Sequence, residues 1–211
     1  HRDLHSFPTR RSSDLLTEIC RINSHLVWLG THALDLGAMT VFFYCFRERE
    51  EILKLFEMFS GQRLMTSYIR IGGLALEPPL GWEKAVGGFL KGLPSKIDEY
   101  EDLLKTNPIF VNRTRGVGKL PLEKLLALGV TGPMIRAAGM KWDIRKSEPY
   151  SSYEKFDFDI PTETGGDVYA RYLVRMREMR ESLKTALQAM DGMPEGPLKA
   201  AAPKVVLPDP E

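Results

Sequence analysis

Between Leu15 and Leu36 apolar residues recur three and four positions apart, at Ile19, Ile22, Leu26, Leu29 and Ala33, as one buried face of an amphipathic helix requires. Gly37 and Thr40 mark a break, after which Val41 to Phe59 predicts a second helix stopped by Ser60 and Gly61. Two long helices in succession predict a bundle. Ser67 to Gly73 is short, partly β-like and closed by paired glycines, so it reads as a strand or a tight loop, and Pro78 and Pro79 reinforce the break. A third helical stretch runs from Trp82 to Lys105, with Ile97, Tyr100 and Leu104 on one stripe and a kink expected at Gly92 and Pro94. From Ile109 to Pro161 the residues Gly116, Gly118, Gly129, Gly132, Pro133, Gly139 and Pro149 separate short pieces of helix or strand. Asp167 can cap a last long helix, along which Tyr172, Met176, Met179, Leu183, Leu187 and Met190 again recur at helical spacing.

The two ends differ from this pattern. His1 to Leu15 shows neither helical nor strand periodicity and does not begin with Met, so residues 1–15 read as a non-native segment that packs against nothing. Its Arg and Ser residues suggest a transit peptide, but Asp3, Asp14 and Pro8 speak against one. Residues 16–192 form the expected helical domain. Residues 193–211 carry Pro194, Pro197, Pro203, Pro208 and Pro210 and read as a linker that a longer chain continues.

With 43% hydrophobic and 27% charged residues among 211, the composition suits one globular domain with a sizeable core. The 29 Lys+Arg and 28 Asp+Glu nearly cancel, which leaves no global positive field to hold nucleic acid or an acidic membrane surface. Cys20 and Cys45 stand alone without a CxxC, against a disulfide scaffold, a zinc site or a complete iron–sulfur site in this segment. No apolar run reaches the about 20 residues that span a bilayer, so any membrane role has to come through partners.

Candidate chemistry is densest in THALDLGAMTVFF, where Thr31, Asp35, Met39 and Phe42 fall at i, i+4, i+8 and i+11. If the helix continues through Gly37 they share one face, offering a hydroxyl, a carboxylate, a thioether and a ring to an apolar ligand with a polar head group. An ordinary core stripe with one hydrogen-bonded Asp accounts for the same spacing. His32 can approach Asp35 across one turn, and His25 stands seven residues before His32, so a relay can be imagined; a satisfied structural histidine explains both as well. Neither has further ligands at helical spacing, and no metal is assigned. FREREE places Arg47 opposite Glu51 as a solvated or subunit-facing pair, and RGVGK lacks the rest of a phosphate-binding loop and reads as a turn.

Taken together, SHLVWLGTHALDLGAMTVFFYCFRERE, GQRLMTSYIRIGG, LPSKIDEYEDLL, RTRGVG, WDIRKSEPY and GGDVYARYLVRMREMRESL resemble the D-subunit family of respiratory complex I, the NADH:quinone oxidoreductase, from about Leu16 to Asp191. The resemblance implies a mainly α fold, a helical bundle like the large subunit of nickel–iron hydrogenases with short strands and irregular loops, its metal-binding cysteines lost. It implies a peripheral subunit at the cytoplasmic face of the bacterial cell membrane, in a proton-pumping translocase of the electron-transport chain. This chain then contributes part of a quinone-reduction cavity. Asp35 takes the relay role of the ALDLGA motif through a His from an upstream loop, and Thr31, Met39 and Phe42 match positions near the cavity. The substrate is a quinone, ubiquinone or menaquinone, and NAD serves the complex as a whole. A terminal 4Fe-4S cluster is held by a neighbouring subunit, which with the membrane subunit at the quinone entrance is an expected partner.

Two departures from the family pattern matter. The upstream His loop and a head-group Tyr fall before this segment, so the fragment alone is expected to be inactive. Met65 stands near the terminal cluster where many relatives carry His, which suits a low-potential quinone such as menaquinone. The rival readings are a large subunit of a membrane-linked nickel–iron hydrogenase-type complex and a non-catalytic helical scaffold.

Overall fold

The structure is a computed structural model that describes residues 7–70 and 73–193. Its first helix, α1, runs Phe7–Asp35 and buries the expected stripe completely: Leu15, Leu16, Ile19, Ile22, Leu26, Leu29 and Ala33 are all closed to solvent. α2 covers Met39–Ser60 and ends at Gly61 in the left-handed region, whose N–H bonds Glu57 O. Gly37 takes φ 91, so the chain turns between α1 and α2 instead of continuing as one helix. The single face expected for Thr31, Asp35, Met39 and Phe42 is therefore replaced by two packed helices and the corner that joins them.

β1 (Ile69–Arg70) and β2 (Gly73–Leu74) form a small antiparallel pair in which Ile69 faces Leu74. α3 spans Trp82–Leu104 as one assigned helix through Gly92 and Pro94; Ser95 Oγ donates to Gly92 O at 2.9 Å beside the proline, which lacks an N–H of its own. Trp82 anchors its start, donating Nε1 to Leu55 O at 2.9 Å from within the core. The glycine-rich region resolves into α4 (Pro108–Thr114), α5 (Leu122–Ala127), α6 (Pro133–Ala137), α7 (Ile144–Ser147) and a 3-10 turn at Tyr153–Lys155. α8, Val168–Asp191, is capped as expected, Ala170 N donating to Asp167 Oδ1 at 2.7 Å. The mainly α expectation holds.

α1 lies against both α2 and α8, and α3 packs on α2 and α8, so these long helices enclose the core. Tyr172, Met176 and Met179 of α8 are fully buried within it, while Leu187 and Met190 pack at its margin. This burial of apolar stripes, worth about 25 cal/mol per Å², supplies the main drive for the bundle.

The expectation that residues 1–15 pack against nothing does not hold for their described side chains. Ser12, Asp14 and Leu15 are buried within α1, and Ser152 N donates to Asp14 Oδ2 at 3.1 Å. Leu15, the last residue of the segment, joins Leu16 in extending the stripe of the domain helix, so helix propagation carries the polar residues before it into contact. The proline-rich stretch from 194 onward lies outside the described residues. Arg47 pairs with Glu48 at 2.6 Å and Glu99 at 2.7 Å, and Glu51 with Lys54 at 2.7 Å, so the expected Arg47–Glu51 pair is replaced by contacts to α3 and along α2. RGVGK is the turn it was expected to be, with Gly116 N donating to the capping carboxylate of Asp167 at 2.7 Å.

Candidate functional site

Four of the five residues singled out from the sequence gather at the α1–α2 corner. Thr31 and Asp35 belong to the last turn and a half of α1, Met39 and Phe42 to the first turn of α2. Thr31 is exposed and donates Oγ1 back to Val27 O at 2.8 Å, so its hydroxyl hydrogen is used within its own helix. Asp35 is exposed, with no hydrogen bond or ion pair to any described residue.

The rest of the corner is apolar. Met39 is 57% exposed and Phe43 61% exposed, with Leu34 also open to solvent. Phe42 is half-buried and stacks on Phe46 at 4.2 Å between ring centres, which fixes the ring beside the corner. A free carboxylate rimmed by exposed large apolar side chains differs from an ordinary core stripe, whose apolar members would be covered by their own chain. The fifth residue, Met65, does not join them. It stands 84% exposed in the loop after α2, beside exposed Leu64, and α2 with its 22 residues is about 33 Å long.

Behind the corner, the face of α1 turned to α8 carries rings and charges. Trp28 and His32 stack at 5.1 Å, His32 meets the edge of Phe110 at 6.1 Å, and the Arg175 guanidinium lies 4.3 Å from the Trp28 ring centre. Burial, reinforced by Arg175, holds the His32 pKa below the usual histidine value of 6.5, while Asp35 pulls the other way. Burial likewise lowers Arg175, opposed by Glu178.

Further along α1 two buried ionic clusters escaped the sequence reading. His25 Nε2 lies 3.0 Å from Glu178 Oε2, and Arg136 Nε donates to Glu178 Oε1 at 2.7 Å. Glu18, with no exposed surface, accepts from Arg145 at 3.0 Å and from Tyr153 Oη at 2.6 Å, while Arg145 also reaches Asp143 at 2.8 Å. Each charge is compensated by geometry, which is what lets it stay buried. The signal was present in WDIRKSEPY, where Asp143 precedes Arg145 by two, but a charged pair near a proline looks solvated until its partners from α1 are in place.

Among the described residues no group of three or more His, Cys, Asp and Glu is arranged to hold a metal ion, and no helix is long and apolar enough to cross a membrane. Cys20 is exposed and Cys45 buried, its thiol pushed up to about 12 by burial and the neighbouring Glu48.

Comparison with known proteins gives a consistent result. A family model described as respiratory-chain NADH dehydrogenase, 49 Kd subunit, matches residues 35–211. The chain is 68% identical over 197 residues to the D 1 subunit of the NADH-quinone oxidoreductase of Solibacter usitatus, a match covering 93% of this chain and 48% of that protein. It is 63% identical over 197 residues to the D 2 subunit of the Koribacter versatilis enzyme, covering 93% and 49%. The D 2 subunit of Roseiflexus sp. (strain RS-1) is 55% identical over 197 residues, with 92% and 47% covered. The chain spans about half the length of the curated relatives it matches.

Proposed function

The chain belongs to the family of the 49 Kd subunit of respiratory-chain NADH dehydrogenase, and from that membership we propose that its α1–α2 corner is one wall of a quinone-reduction cavity with Asp35 as its proton-relay carboxylate. The observation that supports this reading is the pairing, at one corner, of an unpartnered carboxylate with exposed Met39 and Phe43 and half-buried Phe42. An apolar quinone with a polar head group matches such a surface once the remaining half of the longer protein covers it.

Quinone reduction to quinol consumes two electrons and two protons. A carboxylate next to an imidazole orients that ring and stabilises its charged form, so the ring can hand over a proton and recover it. Asp35 acts through a His supplied by another part of the longer chain, and Thr31, Met39 and Phe42 line the wall. A terminal 4Fe-4S cluster held by a neighbouring subunit would supply the electrons, with NADH as donor to the complex. In this reading Met65 would lie near that cluster, where a thioether would take no proton on reduction, which would suit a low-potential quinone such as menaquinone.

The partners in this reading are other subunits of the complex, above all the one that carries the cluster and the membrane subunit at the quinone entrance. The placement is peripheral, on the cytoplasmic face of the bacterial membrane. This reading sets residues 1–15 apart from the family domain, whose model match runs over residues 35–211.

Asp35→Asn in the assembled full-length enzyme tests the proposal. The amide keeps the shape and removes the charge, so quinone reductase activity should fall roughly 10²–10⁴-fold where proton delivery limits turnover. Electron transfer from NADH to an artificial acceptor that bypasses the cavity should stay near normal. Wild-type quinone reduction in a verified assembly would make Asp35 structural.

A further inference from the structure

Charge is distributed unevenly along α8. Arg177 pairs with Glu163 and Arg180 with Asp98 and Glu101, whereas Arg171 and Arg175, nearer the start of the helix, form no ion pair with a described carboxylate. Arg113 near the end of α4 and Arg115 just after it are exposed and equally without one.

These guanidiniums share one end of the bundle and are held there by rings and carbonyls. Arg115 lies 4.8 Å from the Tyr169 ring centre and Arg175 4.3 Å from that of Trp28, and Phe110 and His32 continue the row of rings between them. Arg171 donates to Gly166 O at 3.0 Å and to Gly118 O in the loop that Arg115 opens. Arg113 donates to Leu36 O at 3.1 Å, which ties the face to the α1–α2 corner.

The nearby carboxylates are already engaged or stand at the edge. Asp167 accepts from Ala170 N and Gly116 N, and Glu178 holds His25 and Arg136; Asp35 lies at the corner, unpaired. Arg171 and Arg175 are half-buried, and Arg171 Nε is closed to solvent with no hydrogen-bond partner among the described residues. Guanidiniums desolvated and ordered in this way have met much of the cost of binding an anion, and their fork of N–H groups matches a carboxylate.

We propose that this arginine face seats a carboxylate-bearing segment from the remaining half of the longer chain. The inference rests on the reading above in one respect, that the remaining half covers the α1–α2 corner. The chain spans about half the length of its relatives, and Arg113 makes the face continuous with that corner. Exposed Ile109 and Val117 belong to the same helix and loop, so the face offers apolar contact as well as charge. A polypeptide with Asp or Glu among apolar side chains uses both, as a free inorganic anion does not.

Zero-length coupling in the assembled full-length enzyme tests this, because a water-soluble carbodiimide joins amines, but not guanidiniums, to carboxylates in contact with them. Arg115→Lys and Arg175→Lys keep the charge and supply the amine. Each variant should yield a linked peptide, absent from the parent, that joins the substituted position to an Asp or Glu of the same chain outside residues 1–211. Arg115→Lys serves if the more buried variant does not assemble, and exposed Lys119 of the unaltered enzyme gives a position that needs no substitution. Links only to carboxylates within residues 1–211 overturn the proposal, and so do links to another subunit. Absence of any link overturns it too, whether the face is left to solvent or turned to anionic lipid. The readout is peptide mass and not activity, so Asp35→Asn can succeed or fail independently of it.

Discussion

His25 of α1 and Glu178 of α8 meet at 3.0 Å between Nε2 and Oε2, although 153 positions separate them in the chain. Arg136 of α6 completes the cluster at 2.6 Å from the other carboxylate oxygen, so three helices converge on one buried anion. Burial pushes Glu178 up, but the hydrogen bond from His25 and the charge of Arg136 outweigh it and leave the group below the ordinary 4.5.

Glu178→Gln is therefore expected to cost about 3–5 kcal/mol at neutral pH, because Arg136 is left buried without its counter-charge. The sign with pH follows from the depressed value. The stabilisation is complete above the unfolded glutamate range and drains away as pH falls through the lower folded pKa. Urea unfolding of the two proteins at a series of pH values checks this: the gap between them should narrow on the acid side. A constant gap would assign the cost to shape alone.

Asp14 shows the opposite sign. Hydrogen bonds from Ser151 and Ser152 favour its charged form, yet burial dominates and carries its pKa from 3.8 up to about 6. The stability linked to this group is complete below the unfolded value and is lost as pH rises through about 6. Asp14→Asn keeps an acceptor oxygen for Ser152 N and removes the buried charge. The variant should be more stable than the parent by about 1–3 kcal/mol at pH near 8, with little gain near pH 4. Melting temperatures at the two pH values decide it, and equal gains at both would exclude a charge effect.

Gly166 has φ 64, and a Cβ there would come within 2.8 Å of Leu120 O. The backbone cannot easily retreat, because Gly166 N donates to Ala137 O at 2.8 Å and Gly166 O accepts from Leu120 N at 3.2 Å. Gly166→Ala should therefore lower stability by about 2–3 kcal/mol, conformational strain and clash combined. Gly37→Ala provides the comparison, since Gly37 also has positive φ but its Cβ would meet nothing within 4 Å. It should cost about 1 kcal/mol. Equal losses in thermal unfolding would mean that the Leu120 carbonyl moves aside freely.

The hydrophobic period by itself determined the long helices, because a stripe recurring at three and four residues has only one way to be buried. It located the stripe of α1, and residue type marked the stop at Gly61 and the cap at Asp167. It also brought out Thr31, Asp35, Met39 and Phe42, though on a single helix face that Gly37 divides into a corner. What only the tertiary structure decided is which polar residues are buried and which apolar ones are left open. Glu18, Arg145 and Asp143 look solvated in sequence and are interior, because Arg145, braced by Asp143 two residues before it, meets Glu18 of α1 across 127 positions. His25 and His32 look alike in sequence, yet one finds Glu178 and the other is clamped by Trp28 and Phe110. Periodicity is a local property of one helix, whereas the cost of burying a charge or a ring nitrogen depends on what the other helices place within about 3 Å of it.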